Sequence, residues 1–197
     1  VNRPLLAAVS LLAATSLLLA GCASDPLADE YREGSQKNYV SGDGTVTEVP
    51  LAERAAPVDF EATTDTGETV SSADYRGQVL VLNFWYAACP PCRKEAPILQ
   101  ELNETFADDA AFLGVNVRDQ AATSKNATEE WGVTFPSVID ANDGNMLLAY
   151  AGTVAPNAVP TTLVIDKQGR VAARYLGLLD STSILNTLIS DAIAEDD

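Results

Sequence analysis

The sequence predicts an α/β domain of three layers, with helices on both faces of a mixed central sheet. Three observations carry this. The run VLVLNFWY (79–86) is almost continuously apolar and β-prone, the composition of a central strand buried on both faces. A helical pattern follows it, and a second apolar run, AFLGVNV (111–117), follows the helix; strands alternating with helices pair in parallel through crossovers. Further on, TTLVID (161–166), the turn Lys167-Gln168-Gly169-Arg170 and VAARYLG (171–177) form a hairpin pattern that adds antiparallel strands.

Each element has its own signal. Residues 58–63 alternate weakly, Asp65-Thr66-Gly67 is a turn and 68–70 returns, so an N-terminal hairpin is expected. Residues 71–75 read as one helical turn. The helix after the central strand starts at Pro90 or Pro91, where a missing N–H costs nothing. Its buried stripe is Ile98, Leu99, Leu102 and Phe106, and Pro97 inside it predicts a kink. Residues 121–132 read as a helix closing at Gly132, VTFPSVID (133–140) as a short extended piece, and 144–151 as a short helix with Met146, Leu147 and Tyr150. A final amphipathic helix over 181–194 has Ser181 as N-cap and Ile184, Leu185, Leu188, Ile189 and Ala192 on one side.

The N-terminal 21 residues are of another kind. One positive charge, Arg3, precedes an apolar stretch over 5–20, shorter than the roughly 20 residues of a spanning helix, so the segment reads as a signal peptide. It ends in Leu19-Ala20-Gly21-Cys22, which resembles the bacterial lipobox. That resemblance implies cleavage before Cys22 and diacylation of it, two chains anchoring stably where one is marginal. The alternative is an ordinary signal peptide with an accidental cysteine. Residues 22–50 read as a flexible tether, within which GDGTVTEV (42–49) has the pattern of a short strand; the domain proper is assigned to 51–197. An exported protein, held to the outer face of the cytoplasmic membrane, is the expectation.

Composition excludes several functions. The 28 acidic and 12 basic residues give a net charge of −16, which disfavours nucleic acid and any anionic surface as partner. There is no histidine, which removes Ser-His-Asp and Cys-His catalysis and every histidine-containing metal site. With Cys22 set aside, one cysteine pair remains, Cys89 and Cys92.

Three readings of that pair compete. A structural zinc site wants four ligands, usually cysteine or histidine; there is no histidine, and the one further cysteine, Cys22, is far off in the tether. A passive staple across so short a loop removes little entropy from the unfolded chain. A redox pair makes physical sense at a helix start, where partial positive charge and free N–H groups favour thiolate. In that reading Cys89 is the exposed attacking thiol and Cys92, one turn on, the more buried resolving thiol.

NFWYAACPPCRKEAP (83–97) resembles the active-site stretch of thioredoxin-fold proteins, most of all the membrane-tethered TlpA/ResA/DsbE branch. AVPTTLVID (158–166) is similar to that family's proline-bearing strand, and WGVTFPSVIDANDGNMLLAYA (131–151) to its central insert. The resemblance covers roughly 55–195. It implies a thioredoxin-like fold with no cofactor beyond the Cys89–Cys92 disulfide and no metal. It implies a cis Pro160 facing the cysteines, which aims the backbone at a bound chain that pairs as an extra strand. Trp85, Pro90, Pro91, Val159 and Pro160 are thereby assigned to substrate binding. Glu95 matches a glutamate near the cysteines of ResA-like proteins and is assigned to raising thiol pKa values or shuttling a proton; the alternative is a solvated helix carboxylate. Two departures stand out. Asn83 takes the place of the buried aspartate of thioredoxins, and Ala88 replaces the tryptophan before the first cysteine, opening the rim.

The resemblance implies a thiol–disulfide oxidoreductase that reduces apocytochrome c disulfides for haem attachment and is recharged by a membrane electron donor of thiol–disulfide type. The alternative is the same chemistry run as an oxidase or isomerase for secreted proteins. A non-catalytic binding module lacks support, and a peroxidase of this kind would want Ser or Thr where Tyr86 stands.

Overall fold

The computed structural model describes residues 45–154 and 158–195. The signal peptide, Cys22 and most of the tether lie outside the described residues. In chain order the elements are β1 (Val46–Glu48), a 3-10 turn (Leu51–Glu53), β2 (Glu61–Thr63), β3 (Thr69–Ser71), a second 3-10 turn (Ser72–Tyr75), β4 (Val79–Trp85), α1 (Pro90–Thr105), β5 (Ala110–Asn116), α2 (Ala121–Trp131), β6 (Ser137–Ile139), α3 (Asn145–Ala149), β7 (Thr161–Ile165), β8 (Val171–Leu176) and α4 (Ser183–Ala194).

The six-stranded sheet has the order β1-β8-β7-β4-β5-β6, and β2 and β3 form a separate hairpin. β4 pairs in parallel with β5 and antiparallel with β7. The mixed sheet, the N-terminal hairpin and the flanking helices are those the sequence predicts.

All seven residues of β4 are buried, because both sheet faces are covered. Alternation splits them. Val79 and Val81 join Leu99, Leu102, Leu185 and Ile189 in the core under α1 and α4. Leu80, Leu82 and Phe84 join Leu163, Met146 and Tyr150 in the core of the opposite face. On the first face the apolar series then gives way to Asn83 and Trp85. The strand is thus core at its start and site at its end.

Four details refine the sequence reading. β1, the short strand expected within 42–49, pairs with β8 and buries Val46, so ordered structure begins before residue 51; the pairing covers what would otherwise be a bare edge. α4 starts at Ser183, with Thr182 rather than Ser181 before it and no side-chain cap. The chain uses 177–182 to insert Leu179 into the core, which delays the helix. Ile184 is 42% exposed, on the outer side of that helix. α1 continues through Pro97, whose position on the exposed face leaves the freed carbonyl to water.

The start of the domain is fastened to its end. Arg54 donates to Asp166 at 2.9 Å and to both Glu195 carboxylate oxygens at 2.5 Å, and its Nε donates to the Val49 carbonyl.

Candidate active site

The end of β4 delivers the chain directly into α1. Cys89 is the N-cap of that helix, with Pro90 and Pro91 in its first turn, and its Sγ accepts the Cys92 N–H at 3.2 Å. The two cysteines form a disulfide with Cα atoms 5.3 Å apart. The helix N-terminus that would stabilise a Cys89 thiolate is therefore in place.

Cys89 is not exposed as expected. Both cysteines are 2% exposed and cluster with Trp85 and Ala127, with Tyr86, Ala87, Trp131 and Val159 packed around them. The side chains that fold over the pair come from α2 and the loop before β7, which the local sequence does not reveal.

Trp85 also differs from its assignment. It is 4% exposed and forms a wall behind the disulfide instead of a surface for substrate. Its Nε1 donates to Ser137 Oγ at 2.9 Å, and its ring meets Trp131 edge-on at 5.2 Å. Gly114 makes room for this bond: a Cβ there would lie 2.6 Å from Ser137 Oγ and 2.9 Å from Trp85 Nε1. The insert over 131–151 thus supplies Trp131 and Ser137 to the site.

The other predicted positions come together. The Val159–Pro160 peptide is cis, Val159 packs on the cysteine cluster, and the Pro160 carbonyl accepts the Gly177 N–H. Thr161 Oγ1 bonds the Ala158 carbonyl across the turn. Pro90 and Ala88 are exposed and Pro91 half-buried, so the rim is open beside Val159.

Glu95 is fully buried, which rules out a solvated carboxylate. Its Oε1 accepts Asn83 Nδ2 at 2.8 Å, and Oε2 accepts the Leu179 N–H at 3.0 Å. Burial raises its pKa to about 7; the two hydrogen bonds favour the charged form and only partly offset that. Asn83 also donates to Thr162 Oγ1 at 3.1 Å. A cavity of about 20 Å³, enough for one water, is lined by Asn83, Cys92, Thr128 and Ser137 among others.

A further bracket escaped the sequence reading. Asp119 Oδ2 accepts the Ala87 N–H at 2.6 Å and Asn116 Nδ2 at 3.0 Å, and the Arg118 guanidinium lies 4.2 Å over the Tyr86 ring. Residues 118 and 119 thereby grip the loop that enters the cysteine pair. Asn116, fully buried at the end of β5, accepts the N–H groups of Arg118 and Asp119. The Asn-x-x-Asp spacing at a strand end, a side chain turning its own backbone, was the signal that could have found it.

Among the described residues no group of three or more histidine, cysteine or acidic side chains is placed to hold a metal.

Comparisons with known proteins agree on the chemistry. A family model described as the AhpC/TSA family matches residues 52–174. The thiol-disulfide oxidoreductase ResA of Geobacillus kaustophilus is 37% identical over 127 residues, 64% of this chain and 70% of that one. The thioredoxin-like protein YneN of Bacillus subtilis is 30% identical over 67% of this chain and 76% of its own. Among solved structures, a secreted thiol-disulfide isomerase from Corynebacterium glutamicum superposes with a TM-score of 0.71 at 29% identity, over 79% of this chain and 96% of that one. A DsbF homologue from Corynebacterium diphtheriae gives 0.69 at 33% identity, over 77% and 95%.

Proposed function

The chain belongs to the AhpC/TSA family and is a thiol–disulfide oxidoreductase, and from that premise we propose that it works outside the cytoplasm as a reductase of protein disulfides, with apocytochrome c as the substrate class. The observation that carries this reading is Glu95: a buried carboxyl with a pKa of about 7, one helical turn after Cys92, is suited to take up and return a thiol proton at neutral pH.

In the reduced protein the Cys89 thiolate attacks a substrate disulfide. One substrate sulfur leaves, and a mixed disulfide joins the other to Cys89. The Cys92 thiol gives its proton to the Glu95 carboxylate, and the resulting thiolate attacks Cys89 Sγ. The second substrate sulfur leaves; the two departing thiolates take up protons from Glu95 and from water. The substrate gains two electrons and becomes a dithiol, while Cys89 and Cys92 become the disulfide seen in the structure. Val159 and Pro160 present the backbone against which a substrate strand pairs, and Pro90 and Pro91 form the rim it crosses. Trp85 supports the pair from behind.

The lipobox pattern at Leu19–Cys22 supports anchoring through a lipidated Cys22, which would keep the domain near a membrane-held dithiol donor. A second reading, isomerase or oxidase, has one specific support: the Corynebacterium glutamicum relative is named a secreted isomerase.

The equilibrium reduction potential of the Cys89–Cys92 couple separates the two. A value near that of thioredoxin, about −270 mV, is expected for the reductase, whereas one near about −120 mV would overturn it in favour of disulfide formation. Insulin reduction by the wild-type chain, abolished by Cys89→Ser, is the companion measurement.

A further inference from the structure

Two donors converge on one buried carboxylate. Asn83 Nδ2 points at Glu95 Oε1 and the Leu179 N–H at Oε2, while the same Asn83 nitrogen also serves Thr162 Oγ1. Asn83 Oδ1 takes part in no hydrogen bond among the described residues. Both donors suit the charged carboxylate, which only accepts. The set is less well matched to the acid. A protonated Glu95 turns one oxygen into a donor; on Oε1 that O–H is better matched by the Asn83 carbonyl than by its NH2, and the carboxyl is fully buried.

Leu179 cannot yield, because it is main chain held in the core. Asn83 can. A half-turn of its amide puts Oδ1 where Nδ2 stands, facing the Glu95 O–H. Thr162 Oγ1 serves as acceptor in one state and as donor in the other, because a hydroxyl does both. The bonds to Glu95 and Thr162 are kept in both arrangements, and the displaced NH2 faces the water-sized cavity that Asn83 lines.

We propose that Asn83 is a proton-coupled amide switch, turning over whenever Glu95 gains or loses its proton, with Thr162 as partner in both states. It carries no proton and is a positioning residue. Its consequence lies at the other end of the amide. Asn83 and Cys92 line the same cavity of about 20 Å³. With Glu95 charged, the amide turns its carbonyl, an acceptor, away from Glu95, which suits a Cys92 thiol. With Glu95 protonated it turns its NH2 that way, which suits a Cys92 thiolate. One proton shared between Glu95 and Cys92 thus finds a matched amide wherever it resides. An aspartate or an aliphatic residue at 83 would match at most one of the two. The inference rests on Glu95 being the proton store of the site.

The groups facing Glu95 are few. β4 contributes Asn83, β7 contributes Thr162 through Asn83, the loop before α4 contributes the Leu179 N–H, and α1 itself carries Cys92 one turn earlier. Burial and the two hydrogen bonds are what act on its titration.

Side-chain NMR on the full, oxidised, isotope-labelled chain tests this. The Glu95 carboxyl carbon and the Asn83 amide are followed from the acid to the alkaline side of neutrality. The expected result is that the contacts of the Asn83 amide protons with Glu95 and Thr162 vanish on the acid side, with the midpoint of the Glu95 carbon. Contacts that persist on both sides, or that change with a different midpoint, overturn the switch. A second measurement follows alkylation of Cys92 against pH in a Cys89→Ser chain. Glu95→Gln, a mimic of the protonated acid, should raise the Cys92 thiolate fraction about tenfold, a shift of roughly one pKa unit. No change there would sink the proton-store reading and this inference with it. A tenfold change beside a static amide would sink the inference alone.

Discussion

Glu95 shows how far a single residue can be read. Its spacing from Cys92 was legible, and so was the choice between proton store and solvated carboxylate. The outcome was not, because it depends on Leu179, 84 positions away, closing over the carboxyl. The same limit applied to Cys89, whose cover comes from Trp131 and Val159. The burial of Glu95 has a thermodynamic signature. Between the ordinary carboxyl value of 4.5 and about 7, the folded chain retains a proton that the unfolded chain has released. Stability therefore falls as pH rises through that window and levels off above it. The full loss is about 3 kcal/mol, set against a total of typically 5–15. Glu95→Gln should flatten this slope in urea titrations at successive pH values; an unchanged slope would mean that another group carries it. Asp166, which Arg170 and Arg54 hold below its usual range against the effect of burial, acts only on the acid side of that window.

Among the elements, those with strong local signals were read correctly. β4 declares itself by an unbroken apolar run, α1 by its prolines and stripe, and the hairpins by their turns. Those with weaker local signals take their places from distant partners. β1 is three residues long and becomes a strand because β8 offers an edge. α4 starts late because Leu179 is needed in the core. The contact between β5 and β6 was equally hidden. Gly114 and Ser137 are paired neighbours there, and both serve the Trp85 indole. Ser137→Ala would leave that N–H buried and unpaired, at a cost of about 1–3 kcal/mol. Gly114→Ala would force the same bond apart and cost a similar amount by overpacking. Thermal unfolding of both variants is the check, and near-neutral values would show that the indole finds another acceptor. The clasp at Arg54 is a contact of the same long-range kind. Arg54→Met should lower stability by about 3 kcal/mol, since it leaves the nearly buried Asp166 with Arg170 alone and deprives Glu195 of its partner. The reduction potential should stay unchanged, which separates the clasp from the redox site.

For the whole molecule, the sequence disclosed the three-layer architecture and the redox chemistry together, since the cysteine pair and the strand that positions it are adjacent in the chain. It disclosed nothing of the bracket at Asn116–Asp119, whose partners are 32 residues apart. The strong negative charge favours substrates that are themselves cationic or neutral around their cysteines, so association should slow as salt is raised if they are cationic. The proposed anchor is testable at this scale: Cys22→Ser should move the protein from the membrane fraction to the soluble exported fraction without loss of insulin reduction, and retention at the membrane would refute lipidation as the anchor. The Arg54 clasp also has a mechanical meaning. A pull arriving from the N-terminal side meets β1 first and then Arg54, which hands the load to Asp166 and to Glu195 beyond the last helix. β8 and β7 still stand between that edge and β4. The clasp works as a strain relief does on a cable: tugging at the lead is absorbed at the casing, and the contacts inside keep their spacing.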